Sequence, residues 1–285
     1  FSGSVSDFFS TIVTGATYHI IPKSYFMFPI KLVEFLNDRN VNTLYWVPSA
    51  LAIFSILDVF KYATLKSVCH IMFLGEVMHV KYLNYLKSYL PNCRFTNMFG
   101  PTETVDICTY YDVDRDFSLD ESLPIGKHAD NIDTFILKEN NTLAKIGEIG
   151  ELCVRGSFLA SGYYNMEEKT KEVFCQNPLQ HSYPELIYKT GDLVYENEKK
   201  EYIYVSRKDF QIKHMGYRIE LGEIESAITS KDNIRQALCI YDSNDDNIVL
   251  IYEGKVKKDD ILQRCNQKLP PYMVPNVIVK VSQIL

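Results

Sequence analysis

No apolar run in this chain reaches the roughly 20 residues that span a bilayer, and no signal-like segment heads it, so no membrane span is expected. A lysine- or arginine-rich block is also missing. The basic runs "KK" (199–200) and "KVKK" (255–258) are short and the net charge is -6, so nucleic acid is not an expected partner. Cysteine is present without a pattern. The seven residues are scattered, odd in number and free of any C-x-x-C pair. That argues against a disulfide framework or a zinc site, and for free core thiols in a reducing, cytoplasmic setting. What remains is an ordinary globular composition, 46% hydrophobic and 23% charged over 285 residues, enough for one large domain and a smaller one.

The first hundred residues alternate helix and strand patterns. Phe8, Phe9, Ile12 and Val13 recur at helical spacing up to Gly15, and "ATYHII" reads as a strand after it. "FPIKLVEFLNDRN" is an amphipathic helix, "VNTLYWVP" a strand, and "SALAIFSIL" a helix with Ser49 as its N-cap. "SVCHIMFLG" and "CRFTNMFG" are strands around the helical "EVMHVKYLNYLKSYL". Strands apolar throughout predict a parallel sheet covered on both faces, with ligands beyond the strands' carboxyl ends. Gly75 and the turn "GPTE" at 100–103 stand at such ends. After about residue 122 the texture changes. "TFILKEN", "GELCVRG", "LIYKTGDLVYE", "YIYVSRKD" and "QIKHMGYRIEL" are short strands between Gly, Asn and Asp turns, which predicts an antiparallel, barrel-like part. The expected fold is α/β: a parallel sheet with flanking helices plus a small β-barrel-like part, then a small α+β C-terminal domain from about Asp209.

Six stretches, in order, carry a resemblance: "FSGSVSDFFSTIVTGATYHII", "FTNMFGPTET", "GELCVRGSFLASGYYN", "YKTGDL", "SRKDFQIKHMGYRIELGEIE" and "LPPYMVP". Together they resemble the AMP-forming ligases, the family of acyl-CoA synthetases, firefly luciferases and peptide-synthetase adenylation domains. "FLGEVM", "SLPIGK" and "DFQIKHMGYRIEL" are most similar to D-alanine–carrier-protein ligases, then to peptide-synthetase adenylation domains. The resemblance implies activation of a carboxylic acid, or an amino acid, with ATP and Mg²⁺. The acyl group then passes to a phosphopantetheine thiol on a carrier protein or CoA. It implies that residues 1–208 belong to the large adenylation domain, its upstream portion missing. Residues 209–285 would be the small mobile C-terminal domain, its end truncated.

The same resemblance assigns roles. Thr102 offers a hydroxyl to the phosphate, and Glu103 is a hard carboxylate ligand for Mg²⁺. Asn97, Met98 and Phe99 are implied at the adenine, with Gly100 and Pro101 letting the backbone approach the nucleotide. Asp192 is the implied ribose carboxylate, Arg207 a second ribose and phosphate contact, and Tyr204 a second adenine wall. Asp209 is the implied hinge, and Gly216 the implied loop facing the thiol tunnel. The acyl pocket would draw on Ser2, Gly3 and Ser6, then Ser49, Met72, Leu74 and Gly75, then Met98, Asp106 and Ile107.

Four departures from the family pattern set further expectations. The phosphate loop and the C-terminal catalytic lysine are not in this sequence, so the chain by itself is not expected to form acyl-adenylates at a normal rate. Ser2 stands where amino-acid-activating relatives carry the aspartate that binds the substrate ammonium. A neutral hydroxyl cannot supply that charge. Either the substrate lacks an α-amino group or another carboxylate substitutes, and Asp106 is the candidate. A solvent-facing aspartate at a strand edge is the alternative. Ser206 replaces a glycine, which is tolerable at negative φ. Two other readings stay open: an acyl- or aryl-acid CoA ligase, and a degenerate nucleotide-binding or docking module.

Overall fold

The computed structural model describes residues 3–208, 211–229, 234–242 and 245–284; Ser2 and Asp209 lie outside the described residues. The chain divides into two units, Phe1–Lys208 and Asp209–Leu285.

The first unit opens with helix α1 (Gly3–Thr14), stopped by Gly15 at φ +67. Its apolar residues Phe8, Phe9, Ile12 and Val13 are exposed. Residues 16–21 form no strand, contrary to expectation: no described strand pairs with them, and Ile20 is exposed. Then α2 (Pro29–Asp38), β1 (Thr43–Trp46), α3 (Pro48–Ile56), β2 (His70–Leu74), α4 (Val80–Tyr89) and β3 (Arg94–Phe99) alternate. Strands β1, β2 and β3 lie side by side and parallel. β4 (Thr109–Asp112) and β5 (Lys127–His128) extend the sheet antiparallel. Proline occupies the first turn of α2 and α3, where its missing N–H leaves no bond unmade. Ser49 is therefore not the cap of α3. Val47 holds that place, and the Ser49 backbone N–H donates to Glu76 Oε2 at 2.8 Å.

The three helices α2, α3 and α4 pack on one face of this sheet, not on both. Paired strand residues share a face, and successive residues alternate. Leu44, Ile71, Phe73 and Phe95 form one core with Leu32, Leu51, Phe54, Leu83 and Leu86 of the helices. The opposite face carries Tyr45, Met72, Leu74 and Met98, in register across β1, β2 and β3. The short connections between β1, β2 and β3 each return through a helix in the same direction, which is why one face is filled first.

The second sheet is antiparallel throughout. It contains β6 (Asp133–Leu137), β7 (Gly150–Arg155), β8 (Phe174–Gln176), β9 (Leu186–Glu196) and β10 (Tyr202–Arg207), with the short helix α5 (Glu167–Val173) ahead of β8. The order is β10-β9-β7-β6, and β8 pairs with β9. Backbone bonds join the two sheets at one place: Ile125 N–H to Tyr202 O at 2.9 Å and Tyr202 N–H to Gly126 O at 2.6 Å. Gly126 has φ +80 and no room for a Cβ against the Tyr110 carbonyl, so only glycine fits that crossing. Phe99, Cys108, Ile125, Ile136, Leu152, Val154 and Val194 fill the seam.

The second unit begins with the hairpin β11 (Gln211–His214) and β12 (Tyr217–Glu220), rather than continuing the barrel-like part. Met215 and Gly216 both have positive φ, the two-residue turn whose twist matches a hairpin. Helix α6 (Leu221–Thr229) leads to β13 (Ile234–Asp242) and β14 (Asn247–Gly254), an antiparallel pair. Helix α7 (Lys258–Lys268) then crosses over to β15 (Val277–Val281), parallel to β14. Ile224, Ile228, Leu250, Ile261 and Cys265 centre its own core. No disulfide joins any of the seven cysteines. No described helix is long and apolar enough to cross a membrane.

Candidate active site

Beyond the carboxyl end of β3 the chain makes a tight excursion. Thr102–Thr104 is one turn of 3-10 helix, closed by Thr104 Oγ1 donating to the Pro101 carbonyl at 2.9 Å. Val105 follows at φ 71, ψ -58, and the Asp106 N–H closes back on the Thr104 carbonyl at 2.9 Å. This is a γ-turn of the strained hand, on a β-branched residue that avoids positive φ. The returning backbone presses on Gly100, where a Cβ would overlap the Asp106 carbonyl and the Ile107 Cα. Gly100 is thus demanded by the chain's own fold, a different reason from the nucleotide approach expected for it. Regular strand resumes only at Thr109.

This turn separates two groups of side chains. Thr102 is exposed at its outer side, while Glu103 is buried at 7% exposure. Tyr163 OH donates to Glu103 Oε1, and Ala160 N–H to the Glu103 carbonyl at 2.9 Å. Tyr163 was not among the expected site residues, although it lies within "SGYYN". Among the described residues no group of three His, Cys, Asp or Glu gathers for a metal. A single buried carboxylate fits Mg²⁺, which is held by one or two carboxylates and otherwise by phosphate and water oxygens.

Asp192 sits within β9 beside Gly191 at φ 75, where the ladder between β7 and β9 slips. Asp192 N–H donates to Thr190 Oγ1 at 3.0 Å, and Gly191 N–H to Glu151 Oε1 at 3.0 Å. Arg207, paired across β10, sets its Nη1 3.2 Å from Asp192 Oδ2 and 3.0 Å from the Thr190 carbonyl. Asp192 is 1% exposed, and its Oδ1 has no hydrogen-bond partner among the described residues. The β10 ladder slips between Tyr204 and Ser206, which turns Arg207 into line with Asp192. Ser206 keeps a negative φ there. Tyr204 lies with its ring centroid 6.5 Å from that of Phe99. Phe99 itself is buried in the seam between the sheets.

Strand alternation divides the remaining expected residues. Asn97 and Phe99 share the face of β3 that the helices and seam cover, and Asn97 Nδ2 donates to the Pro124 carbonyl at 2.7 Å. That bond uses one of the two amide N–H donors of Asn97 and fixes the side chain's orientation. Met98 belongs to the other face, with Met72 and Leu74. There Asp106 is 4% exposed, which excludes the solvent-facing alternative. Its Oδ2 accepts from Ser6 Oγ of α1 and from Tyr45 OH at 2.7 Å, and its Oδ1 has no partner among the described residues. Burial pushes its carboxyl above the usual range, against the pull of the Ser6 and Tyr45 hydrogen bonds. Asp7 lies close enough to feel that charge. Burial first, then Asp106, pushes Asp7 up to about 6, while a hydrogen bond from Tyr18 opposes them. Asp7 and Tyr45 were absent from the sequence reading. Gly3 is buried, Ser49 and Ile107 are half-buried, and Gly75 turns at φ 88. Gly216 lies in the second unit, at the hairpin tip.

The profile of the AMP-binding enzyme family matches residues 1–164. Tyrocidine synthase 3 of Brevibacillus parabrevis is 32% identical over 289 residues, covering 100% of this chain and 4% of that protein. Zwittermicin A synthase ZmaJ of Bacillus cereus is 34% identical over 295 residues, covering 100% of this chain and 55% of that protein. Among solved structures, IdnL1 is similar with a TM-score of 0.85 at 24% identity, over 95% of this chain and 56% of that one. The Vibrio cholerae adenylation domain AlmE, solved with glycyl-adenosine-5'-phosphate, gives 0.84 at 24% identity, over 100% of this chain and 54% of that one. This chain thus spans about half the length of those structures and of ZmaJ, and a small part of the longer synthase. On the family match and the identity with ZmaJ and tyrocidine synthase 3, the chain belongs to the AMP-binding enzymes.

Proposed function

We propose that the chain is part of a ligase that activates an amino acid with ATP. The acid's carboxylate oxygen bonds to the α-phosphorus as pyrophosphate leaves. A phosphopantetheine thiol on a carrier protein then attacks the acyl carbon, forming a thioester as the acyl–phosphate bond breaks and AMP leaves. Peptide synthases among the relatives support this reading. The observation that carries it is Asp192, a buried carboxylate with one oxygen fixed by Arg207 and the other without a partner among the described residues. Two acceptor oxygens suit vicinal ribose hydroxyls. Tyr204 and Phe99, with ring centroids 6.5 Å apart, are the proposed walls for the base, and Thr102 is the proposed hydroxyl for phosphate. Glu103 would hold Mg²⁺, which when bound neutralises charge growing on phosphate oxygens. Met72, Leu74, Met98 and Ile107 line the acyl side, with Gly3, Ser6 and Ser49 as its small residues. Gly216 and Asp209 keep their proposed places at the thiol tunnel and the hinge.

Calorimetry with AMP tests the nucleotide site. Saturable binding that weakens about tenfold or more in Asp192→Asn is expected, since hydrogen bonds to charged groups contribute about 1.5–3 kcal/mol. Equal affinity in the two proteins contradicts the assignment.

A further inference from the structure

We infer that the acyl pocket is built for a substrate bearing an ammonium group, received by Asp106 Oδ1 and balanced electrostatically by Asp7. This deepens, and rests on, the adenylation reading. It moves the charge-selecting group from position 2, which is serine, to the far side of the Val105 turn.

Three independent features point the same way. Asp106 is more than nine-tenths buried, and both of its donors, Ser6 and Tyr45, converge on one oxygen. The other oxygen has no donor among the described residues. A buried carboxylate oxygen without a donor is costly and is ordinarily paired. Second, a like charge stands beside it. Asp7 and Asp106 raise the negative potential of one spot, and among the described residues no lysine or arginine is a cause of either carboxyl's shift. An incoming ammonium, with three donors, satisfies the open oxygen and relieves the repulsion together. Third, the chain accepts strain to hold this arrangement. Val105 adopts a conformation its branched side chain resists, and that turn places Asp106 against Gly100. Strained non-glycine residues of this kind gather at functional sites. The face of the sheet nearby carries Met72, Leu74 and Met98, with Thr96 opposite Met72 already bonded to Asp112. One cationic group on a short carbon chain matches that lining, and a neutral acid leaves Asp106 unsatisfied.

The test uses non-hydrolysable acyl sulfamoyl adenosines in matched pairs: glycyl against acetyl, 3-aminopropanoyl against propanoyl, and 4-aminobutanoyl against butanoyl. Their binding to the chain is measured by calorimetry, with AMP alongside. At least one amino member should bind about tenfold or more tightly than its partner. Asp106→Asn should reduce that preference to about twofold or less while AMP affinity stays unchanged. The wild-type comparison stands even if Asp106→Asn does not fold. In that case Asp7→Asn provides the second variant and should reduce the preference without abolishing it. Binding of all six analogues with no preference within any pair overturns the inference and leaves the adenylation reading intact. Failure of AMP and all six analogues to bind overturns both.

Discussion

Tyr45 and Asp106 stand 61 positions apart in the chain and meet at 2.7 Å. Tyr45 comes from β1 at the edge of the sheet and Asp106 from the strained turn beyond β3, so the bond ties the sheet's edge to the loop. Burial and the Asp106 charge both push the Tyr45 hydroxyl well above the usual tyrosine range, which keeps it a donor.

Removing that donor strands part of a buried carboxylate. Tyr45→Phe is expected to cost about 1.5–3 kcal/mol near pH 8, as for hydrogen bonds to charged groups. The cost should shrink in acid, where Asp106 carries a proton. Urea denaturation at pH 4 and pH 8 measures both, and an equal loss at the two pH values contradicts the placement.

Asp7 supplies a signed pH dependence. Its folded carboxyl is raised to about 6 from the model-compound value 3.8. The folded state therefore binds more protons than the unfolded state between those values. The contribution to stability is full below 3.8 and is lost as pH rises through about 6. The groups facing Asp7 are Asp106, which raises it further, and Tyr18, which opposes. Melting curves of wild type and Asp7→Asn from pH 4 to 7 should show wild type losing ground relative to the variant as pH rises.

Arg207 and Asp192 form the most enclosed ion pair among the described residues, with side chains 8% and 1% exposed. Arg207→Met leaves the buried Asp192 charge uncompensated, at an expected cost of about 3–5 kcal/mol. Arg207→Lys keeps the charge but cannot span both Asp192 and the Thr190 carbonyl from one planar group. Chemical denaturation with an AMP titration should rank wild type above Lys and Lys above Met in both readouts.

Two glycines offer a contrast. Gly100→Ala forces a methyl onto the Asp106 backbone, which has no side-chain freedom to yield. A loss of roughly 2 kcal/mol or more is expected, in the range of steric strain at special backbone sites. Gly222, inside α6, faces open space. Gly222→Ala should gain about 0.5–1 kcal/mol, from helix propensity alone. Thermal melts of both variants check the pair.

Much of this site was legible in the sequence because its parts are local. "GPTE" needs only a strand end and a tight turn, and the slipped stretch of β9 that carries Asp192 needs a glycine at positive φ. The nearly continuous apolar runs of "SVCHIMFLG" and "CRFTNMFG" gave the strands, though not the single face that the helices fill. Asn97 and Met98 are neighbours in sequence, so strand alternation puts them on opposite faces, but it does not say which of the two faces meets the helices. The acid cluster was half legible. Asp106 stood out as a carboxylate in an apolar stretch. Asp7 looked like one polar residue on a surface helix, and Tyr45 like one aromatic in a strand. Their meeting depends on long-range packing that no local pattern records. The absence of strand over 16–21 has the same origin, since "ATYHII" has strand character but no partner edge.

The most direct measurement of the central claim compares AMP with 2',3'-dideoxy-AMP by calorimetry on wild-type protein. If Asp192 receives the ribose hydroxyls, AMP binds at one site, and the dideoxy compound is weaker by about tenfold or more. Equal binding of the two, or no heat from either, contradicts a ribose site at Asp192.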